Sequence, residues 1–158
     1  MPKKGAKGPQ WNPKAKIPIG KIVNRHNFYR HAVKGAIIPN LVWSFTVAAN
    51  AKKWANYLGS HNLFQHSNSS YGENIAAGNH SWISAIDGWA SEKKHFIYAP
   101  FGNTASKTKK WEDVGHYTQI IWKTTTCCGC GKAHHPKYGT VYVCQYSPAG
   151  NMWGSFPY

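Results

Sequence analysis

The sequence predicts an α+β domain whose helices precede its strands. Residues 19–33, 46–58 and 81–89 have the three- and four-residue spacing of apolar side chains that amphipathic helices show. Residues 120–122 and 140–146 are apolar or rich in β-branched and aromatic residues, as strands are. Because the helical patterns come first and the strand patterns later, we expect an α+β fold.

The second predicted helix has the clearest pattern, and its ends are marked. Gly59 is expected to stop it, and Gly35 is expected to follow the end of the first helix. Ser81 is expected to cap the third helix through its hydroxyl oxygen. Residues 99–112 are rich in Pro, Gly and Lys and are expected to form a loop. The apolar residues of the second helix are Val47, Ala51, Trp54, Ala55 and Leu58.

Composition limits the class of protein. The chain has 158 residues, 42% of them hydrophobic, which is enough for one domain with a core. No apolar run approaches the ~18 residues that cross a bilayer, which argues against an integral membrane protein. A formal net charge of +14 predicts attraction to anionic membranes and other polyanions. No recognition-helix or base-stacking motif accompanies this charge, so we expect no specific nucleic-acid partner.

The charge and the breaker residues divide the chain into two parts. Residues 1–19 combine five lysines with several Gly and Pro residues and are expected to form a flexible basic arm. Residues 20–158 are expected to form the folded domain. The N-terminus has no apolar signal-peptide region, so the chain is either intracellular or has lost a signal. Glycosylation sequons at Asn68 and Asn79 favour the second possibility, an extracellular protein.

Four cysteines lie in the C-terminal third, at positions 127, 128, 130 and 144. They allow three full pairings, and the residue pattern alone leaves the choice open. A disulfide between the adjacent Cys127 and Cys128 would be strained, so we expect at most one unstrained disulfide. The spacing lacks the second Cys or His pair of a zinc finger.

Two histidines and two glutamates form the main candidate site: His66, Glu73, Glu92 and His116. Neutral imidazoles together with carboxylates can hold a divalent metal such as zinc and leave one position for water. Without a metal, the same groups can act as general base and general acid. Spacing alone does not choose between these roles.

Three segments of the chain resemble the signature blocks of the CAP superfamily, in order and in spacing. They are residues 71–76 (YGENIA), 115–122 (GHYTQIIW) and 143–151 (VCQYSPAGN). The superfamily takes in cysteine-rich secretory proteins, insect antigen five and plant pathogenesis-related proteins of group one. His26 and Asn27 are similar to its His-Asn pair in the first helix, and the likeness extends over about residues 22–158.

The resemblance implies a three-layer α-β-α sandwich with a His/Glu tetrad in its central cleft. It implies that His66 and His116 would be the metal ligands, with Glu73 and Glu92 orienting them. It also implies a disulfide between Cys130 and Cys144, which would leave a free thiol among the other two cysteines. Asn74 is expected to serve a turn after Glu73, and Gln119 to pack near the cleft.

The superfamily also includes proteins that bind sterols through an aromatic loop before the Gly-His block. The matching rings are Phe96, Tyr98 and Phe101, which would line an apolar groove or else pin the loop to the core. The expected function is therefore a secreted protein that binds sterol or another lipid, with a defence or virulence role.

Two alternatives remain open. A metal-dependent hydrolase could use the tetrad, although the sequence offers no convincing nucleophile: Ser67 beside His66 equally suits a cap or a turn. The segment 148–158 resembles the C-terminal peptide released from plant members, and it could instead close the edge of the sandwich.

Overall fold

The computed structural model describes residues 11–158, which form a mixed sheet covered by helices on both faces. Short 3₁₀ turns lie at Ser91–His95, Asn103–Ala105 and Trp111–Asp113. The predicted α+β class and three-layer architecture are confirmed. The helices and strands in chain order are α1 Ile19–His31, β1 Val42–Trp43, α2 Phe45–Ser60, β2 Gly72–Ala77, α3 Trp82–Ala90, α4 Gly115–Ile121, β3 Cys127–His135 and β4 Gly139–Ser147.

The four strands are arranged in the order β1-β3-β4-β2. The short β1 runs parallel to β3, whereas the β3–β4 and β4–β2 pairs are antiparallel. The register places Glu73 opposite Gln145 and Cys130 opposite Cys144. A disulfide joins Cys130 to Cys144, as the resemblance implies, and both Cys127 and Cys128 are free thiols.

One face of the sheet is covered by α2, and glycines in β3 allow this helix to come close. A Cβ atom on Gly129 would lie 2.1 Å from the backbone nitrogen of Ala48, and one on Gly131 would lie 2.5 Å from Cα of Lys52. Alternate residues of a strand point to opposite faces, so Gly129 and Gly131 share the α2 face. Buried Ala51, Ala55 and Leu58 complete this contact from the helix.

The other face of the sheet packs against α1, α3 and α4. Their buried apolar residues form the larger core, together with the disulfide and two tyrosines of β4. Arg30 is also fully buried, and its guanidinium donates to four backbone carbonyls: those of Pro39, Ile120, Trp122 and Thr125. This arginine joins α1 to the segment that leads into β3.

Two sequence-based expectations about elements were wrong, and strands β2 and β3 were not predicted. Gly59 lies inside α2 rather than after it, because its missing side chain makes room for the carbonyl oxygen of His134. Residues 120–122 are not a strand: Ile120 and Ile121 end α4, where burial on all sides explains their continuous apolar run. Strand β3 was missed because its glycines and cysteines do not have the usual β-strand composition.

The Ser81 cap is confirmed, since its hydroxyl accepts a hydrogen bond from the Ser84 N–H at 3.0 Å. Most of the predicted basic arm, residues 1–10, lies outside the described residues. In the described part of the chain, no helix is both long and apolar enough to cross a membrane.

Candidate functional site

The structure brings the four predicted tetrad residues together as two His–Glu pairs. His66 follows α2 and pairs with Glu73 of β2, with 2.8 Å between Nδ1 and Oε1. His116 of α4 pairs with Glu92, with 2.8 Å between Nδ1 and Oε2. Both imidazoles and Glu73 line one cleft of about 240 Å³, and Glu92 contacts His116.

Glu73 is held as an ionised carboxylate. Its Oε1 accepts from the Ser67 N–H at 2.9 Å, and its Oε2 accepts from Gln145 Nε2 at 2.8 Å and from the Ser67 hydroxyl. Burial acts to raise the pKa of Glu73, but the hydrogen bonds from His66, Ser67 and Gln145 outweigh burial and lower it. The Ser67 hydroxyl hydrogen is therefore used by Glu73, which supports a structural role for this serine.

Glu92 fixes the start of α4. Its Oε1 accepts from the backbone N–H groups of His116 and Tyr117, at 2.8 and 3.1 Å. These N–H groups lie in the first turn, where a helix has no internal acceptors for them. One carboxylate thus positions both the helix and the ring of His116 that the helix carries.

In each imidazole of the cleft, one ring nitrogen contacts a glutamate and the other does not. Because Nδ1 of His66 and of His116 contacts a carboxylate, each ring has its Nε2 left over, without a protein hydrogen bond in the described part of the chain. A carboxylate on one ring nitrogen is the usual arrangement around metal-binding histidines. No group of three or more Cys, His, Asp or Glu side chains within residues 11–158 is placed to hold a metal. Two imidazole Nε2 atoms are therefore the nitrogen ligands that the cleft could offer a metal.

Sequence reasoning missed several residues of the cleft. Gln145, which binds Glu73, lies within the third signature block but carries no signal of its own. Trp111, Glu112 and Asn151 line the cleft from loops. Asn74 does not serve a turn as expected: it lies in β2, and its Nδ2 donates to the His116 carbonyl at 3.1 Å.

A buried network connects the core to this cleft. His26 Nδ1 lies 2.8 Å from the Ile22 carbonyl oxygen, which can only accept, so Nδ1 carries the hydrogen. Its Nε2 therefore accepts from the Tyr146 hydroxyl at 2.8 Å, and Asn74 Nδ2 donates to the same tyrosine oxygen at 3.2 Å. Complete burial lowers the pKa of His26 to about 4.

This network predicts a loss of stability in mild acid. The folded-state pKa of His26, about 4, lies below its ordinary value of 6.5, so the unfolded chain binds the extra proton between these values. The resulting stabilisation is present above pH 6.5 and is lost as the pH falls towards 4, by about 3 kcal/mol in all. Denaturant unfolding at pH 7, 6 and 5 measures this loss. A His26→Gln variant should show a flatter pH dependence, and parallel curves would contradict the assignment.

The three aromatic residues of the predicted lipid loop do not share one exposed surface. Phe101 is only 4% exposed and packs edge-on against Trp111, Trp122 and Trp153. Phe96 is half-buried against Tyr117, with ring centres 5.3 Å apart. Only Tyr98 is largely exposed, at 53%. The expected three-ring groove is therefore not formed, because core packing takes up two of its rings.

A different cavity, of about 390 Å³, lies between residues 11–19 and the α2 side of the sheet. Two lysines stand beside it, Lys52 and Lys132, and their Nζ atoms lie 5.9 and 5.7 Å from the centre of the Trp11 ring. Burial and the charge of Lys132 lower the pKa of Lys52. The Trp43 indole N–H is buried and has no hydrogen-bond partner among the described residues. The apolar lining includes Trp11, Ile17, Ile19, Trp43, Phe45 and Ala48.

The segment after β4 is bonded to the body of the domain. Backbone hydrogen bonds join Phe101 to both Gly154 and Ser155, and Lys123 to Pro157. The Tyr98 hydroxyl donates to the Tyr158 carbonyl. These contacts favour the prediction that residues 148–158 close the edge of the sandwich over the prediction that they are released as a peptide.

The chain is similar in sequence to cysteine-rich secretory proteins and to a pathogenesis-related protein. The chain is 37% identical over 146 residues to cysteine-rich secretory protein 3 of Equus caballus, covering 83% of this chain but 56% of that protein. It is 36% identical over 135 residues to pathogenesis-related protein 1 of Arabidopsis thaliana, covering 84% of this chain and 78% of that protein. The chain thus spans about half the length of the first of these relatives.

Solved structures show the same fold. BmVAL-1 superposes with a TM-score of 0.70 at 26% identity, covering 94% of this chain and 86% of that one. NaASP2, solved with Zn²⁺, superposes with a TM-score of 0.69 at 22% identity, covering 88% and 83%. A sequence profile of the CAP family, described as the cysteine-rich secretory protein family, matches residues 23–146. The chain therefore belongs to the CAP family.

Proposed function

We propose that this chain is an extracellular protein that binds a sterol or another lipid in an apolar cavity and acts in defence or virulence. The observation that carries lipid binding is the cavity of about 390 Å³ beside α2. Its size falls within the range of small-molecule sites, which are typically apolar with a few polar groups. The secretory relatives and the disulfide support an extracellular location.

The lining of the cavity suits an amphiphilic lipid. Trp43, Phe45 and Ile17 offer the apolar surface that a ring system or acyl chain would cover. Lys52 and Lys132 at the border would favour a polar or anionic end of the ligand.

A fluorescent sterol, dehydroergosterol, tests this proposal by titration at moderate salt. Ala48→Phe places a ring in the cavity and should weaken saturable binding by about tenfold or more. The matched control is Ala32→Phe on an exposed position after α1, which should leave binding unchanged. Tyr98→Ala should also leave it unchanged.

Other outcomes of this titration would either place the lipid at another site or overturn lipid binding. Binding that survives Ala48→Phe but is lost in Tyr98→Ala would move the lipid to the aromatic loop. No saturable binding by the unmodified chain, for dehydroergosterol or for a fluorescent fatty acid, would overturn lipid binding. Thermal unfolding of each variant separates loss of the cavity from loss of the fold.

A second candidate function is binding of a divalent cation, zinc above all, by His66 and His116. The supporting observation is that each ring uses Nδ1 for a glutamate and has Nε2 left over at the cleft. Bound there, a cation would supply Lewis-acid character, and Glu73 and Glu92 would orient the two imidazoles. Ser67, the nearby hydroxyl, already donates to Glu73, so hydrolysis has little support from this geometry.

Calorimetric titration with Zn²⁺ checks the cation proposal. His66→Ala or His116→Ala should each weaken Zn²⁺ binding by at least about tenfold, because only two imidazoles are offered. His80→Ala, at an exposed position, is the matched control and should bind as the unmodified chain does. Equal affinities for all four proteins would place any zinc elsewhere.

A further inference from the structure

An exposed apolar surface lies at the end of the domain where residues 148–158 return to it. We call this surface the C-terminal apolar face, defined by Ile37, Tyr98, Met152, Trp153 and Phe156. Their exposed fractions are 90%, 53%, 56%, 66% and 51%, in that order. Contiguous apolar side chains of this size on a surface commonly mark a binding face.

Two neighbouring depressions connect four residues of this face, and Trp153 follows Met152 directly in the chain. One is lined by Ile37, Tyr98, Lys123 and Tyr158, and the other by Met152, Phe156, Lys123 and Tyr158. Lys123 and Tyr158 are common to both. The Tyr98 ring stacks on Tyr158, with ring centres 4.7 Å apart, and lies 5.1 Å from Phe156.

Backbone hydrogen bonds hold the segment beneath the face against the body of the domain. Phe101 donates to Ser155 at 2.8 Å and accepts from Gly154 at 2.9 Å, and Lys123 donates to Pro157 at 2.8 Å. Met152 and Trp153 lie in a turn that is closed by a hydrogen bond of 3.0 Å from the Ser155 N–H to the Met152 carbonyl oxygen. The turn therefore presents its apolar side chains to solvent on a rigid base.

The charged side chains that line the two depressions have one sign. Lys34 and Lys123 line the depressions, and none of the five acidic residues of the chain does so. Tryptophan, tyrosine and lysine are the residue types that settle at the interface between lipid headgroups and acyl chains.

We propose that the C-terminal apolar face docks the protein on an anionic lipid bilayer. Met152, Trp153 and Phe156 enter the boundary between headgroups and acyl chains, and Lys34 and Lys123 contact anionic headgroups. This surface is separate from the cavity beside α2, so the two can be tested apart. Docking of this kind would bring the cavity to the membrane that contains its lipid.

Sedimentation with vesicles tests the proposal. The intact chain should bind phosphatidylcholine vesicles that contain phosphatidylserine, and bind vesicles without it more weakly. Replacing Met152, Trp153 and Phe156 together by Ser should lower the partition coefficient by at least about tenfold. Lys34→Gln with Lys123→Gln should lower it by about tenfold or more on anionic vesicles only, since each lysine contributes about 1 kcal/mol.

A matched control comes from another exposed aromatic pair. Phe64 and Tyr138 are 45% and 39% exposed with ring centres 5.9 Å apart, and Lys137 is beside them. Replacing these three by Ser, Ser and Gln should leave vesicle binding unchanged. Met152→Ser with Phe156→Ser is the milder variant to use if loss of Trp153, which packs on Phe101, unfolds the chain.

Several outcomes would overturn the proposal. They are no binding to anionic vesicles by the intact chain, equal losses in the control variant, and binding that depends on charge but not on the apolar side chains. Light scattering that shows self-association abolished by the same Ser substitutions would assign the face to a second copy. Titration with dehydroergosterol, unchanged in the face variants, shows that failure here is independent of the cavity.

Discussion

A Gly129→Val variant is expected to lose most of its folding stability. An added Cβ would lie 2.1 Å from the nitrogen of Ala48, 2.6 Å from its Cα and 2.7 Å from the Ser44 carbonyl oxygen. All three are backbone atoms at the start of α2, so the helix itself would have to move away from the sheet. We expect a destabilisation of at least about 3 kcal/mol, measured by denaturant unfolding.

Gly88 provides the control for this substitution. It lies inside α3, where an added Cβ would have no other atom within 4 Å, so Gly88→Ala should stabilise the chain by about 0.5–1 kcal/mol. Equal stability of Gly129→Val and the unmodified chain would contradict the close approach of α2 to β3.

Arg30→Met is expected to have an effect of similar size. The guanidinium donates to four buried or partly buried backbone carbonyl oxygens, at distances of 2.7 to 3.0 Å. Methionine fills a similar space but leaves these acceptors without donors, at a cost of about 3–5 kcal/mol. Burial lowers the pKa of Arg30 to about 10, so the charge is kept at neutral pH.

Arg25 offers a matched comparison on the same helix. It is part-exposed and pairs with Asp87, with 2.6 Å between Nε and Oδ1. Arg25→Gln should cost at most about 1 kcal/mol, because exposed ion pairs contribute little. Denaturant unfolding of both variants checks the contrast. If the Arg25 variant is the less stable of the two, Arg30 does not have the structural role assigned to it.

The sequence predicted the helices better than the sheet. Periodic apolar residues located α1, α2 and α3 because one face of each is buried, and β4 was visible through its β-branched and aromatic residues. Strand β3 was not visible in this way, because its glycines allow the close approach of α2 and its Cys130 forms the disulfide, so few β-branched or aromatic residues remain in it. Gly59 was wrongly predicted to end α2. Glycine is typical both of helix ends and of positions where two backbones come close, and Gly59 is of the second kind.

The site could be predicted only as a set of residue types. The family resemblance grouped His66, Glu73, Glu92 and His116, but which atoms face the cleft depends on contacts distant in sequence. Gln145 supports Glu73 only because β2 and β4 pair in one register. The apolar cavity involves residues 11–19, in a segment whose composition indicated only a basic arm.

Crosslinking with a photoreactive sterol, followed by peptide mapping, tests lipid binding in the cavity beside α2. We expect labelling of peptides that contain residues 11–19 or 43–52, and loss of that label when unmodified sterol competes. Labelling confined to residues 95–101, or labelling that unmodified sterol does not compete away, would contradict it.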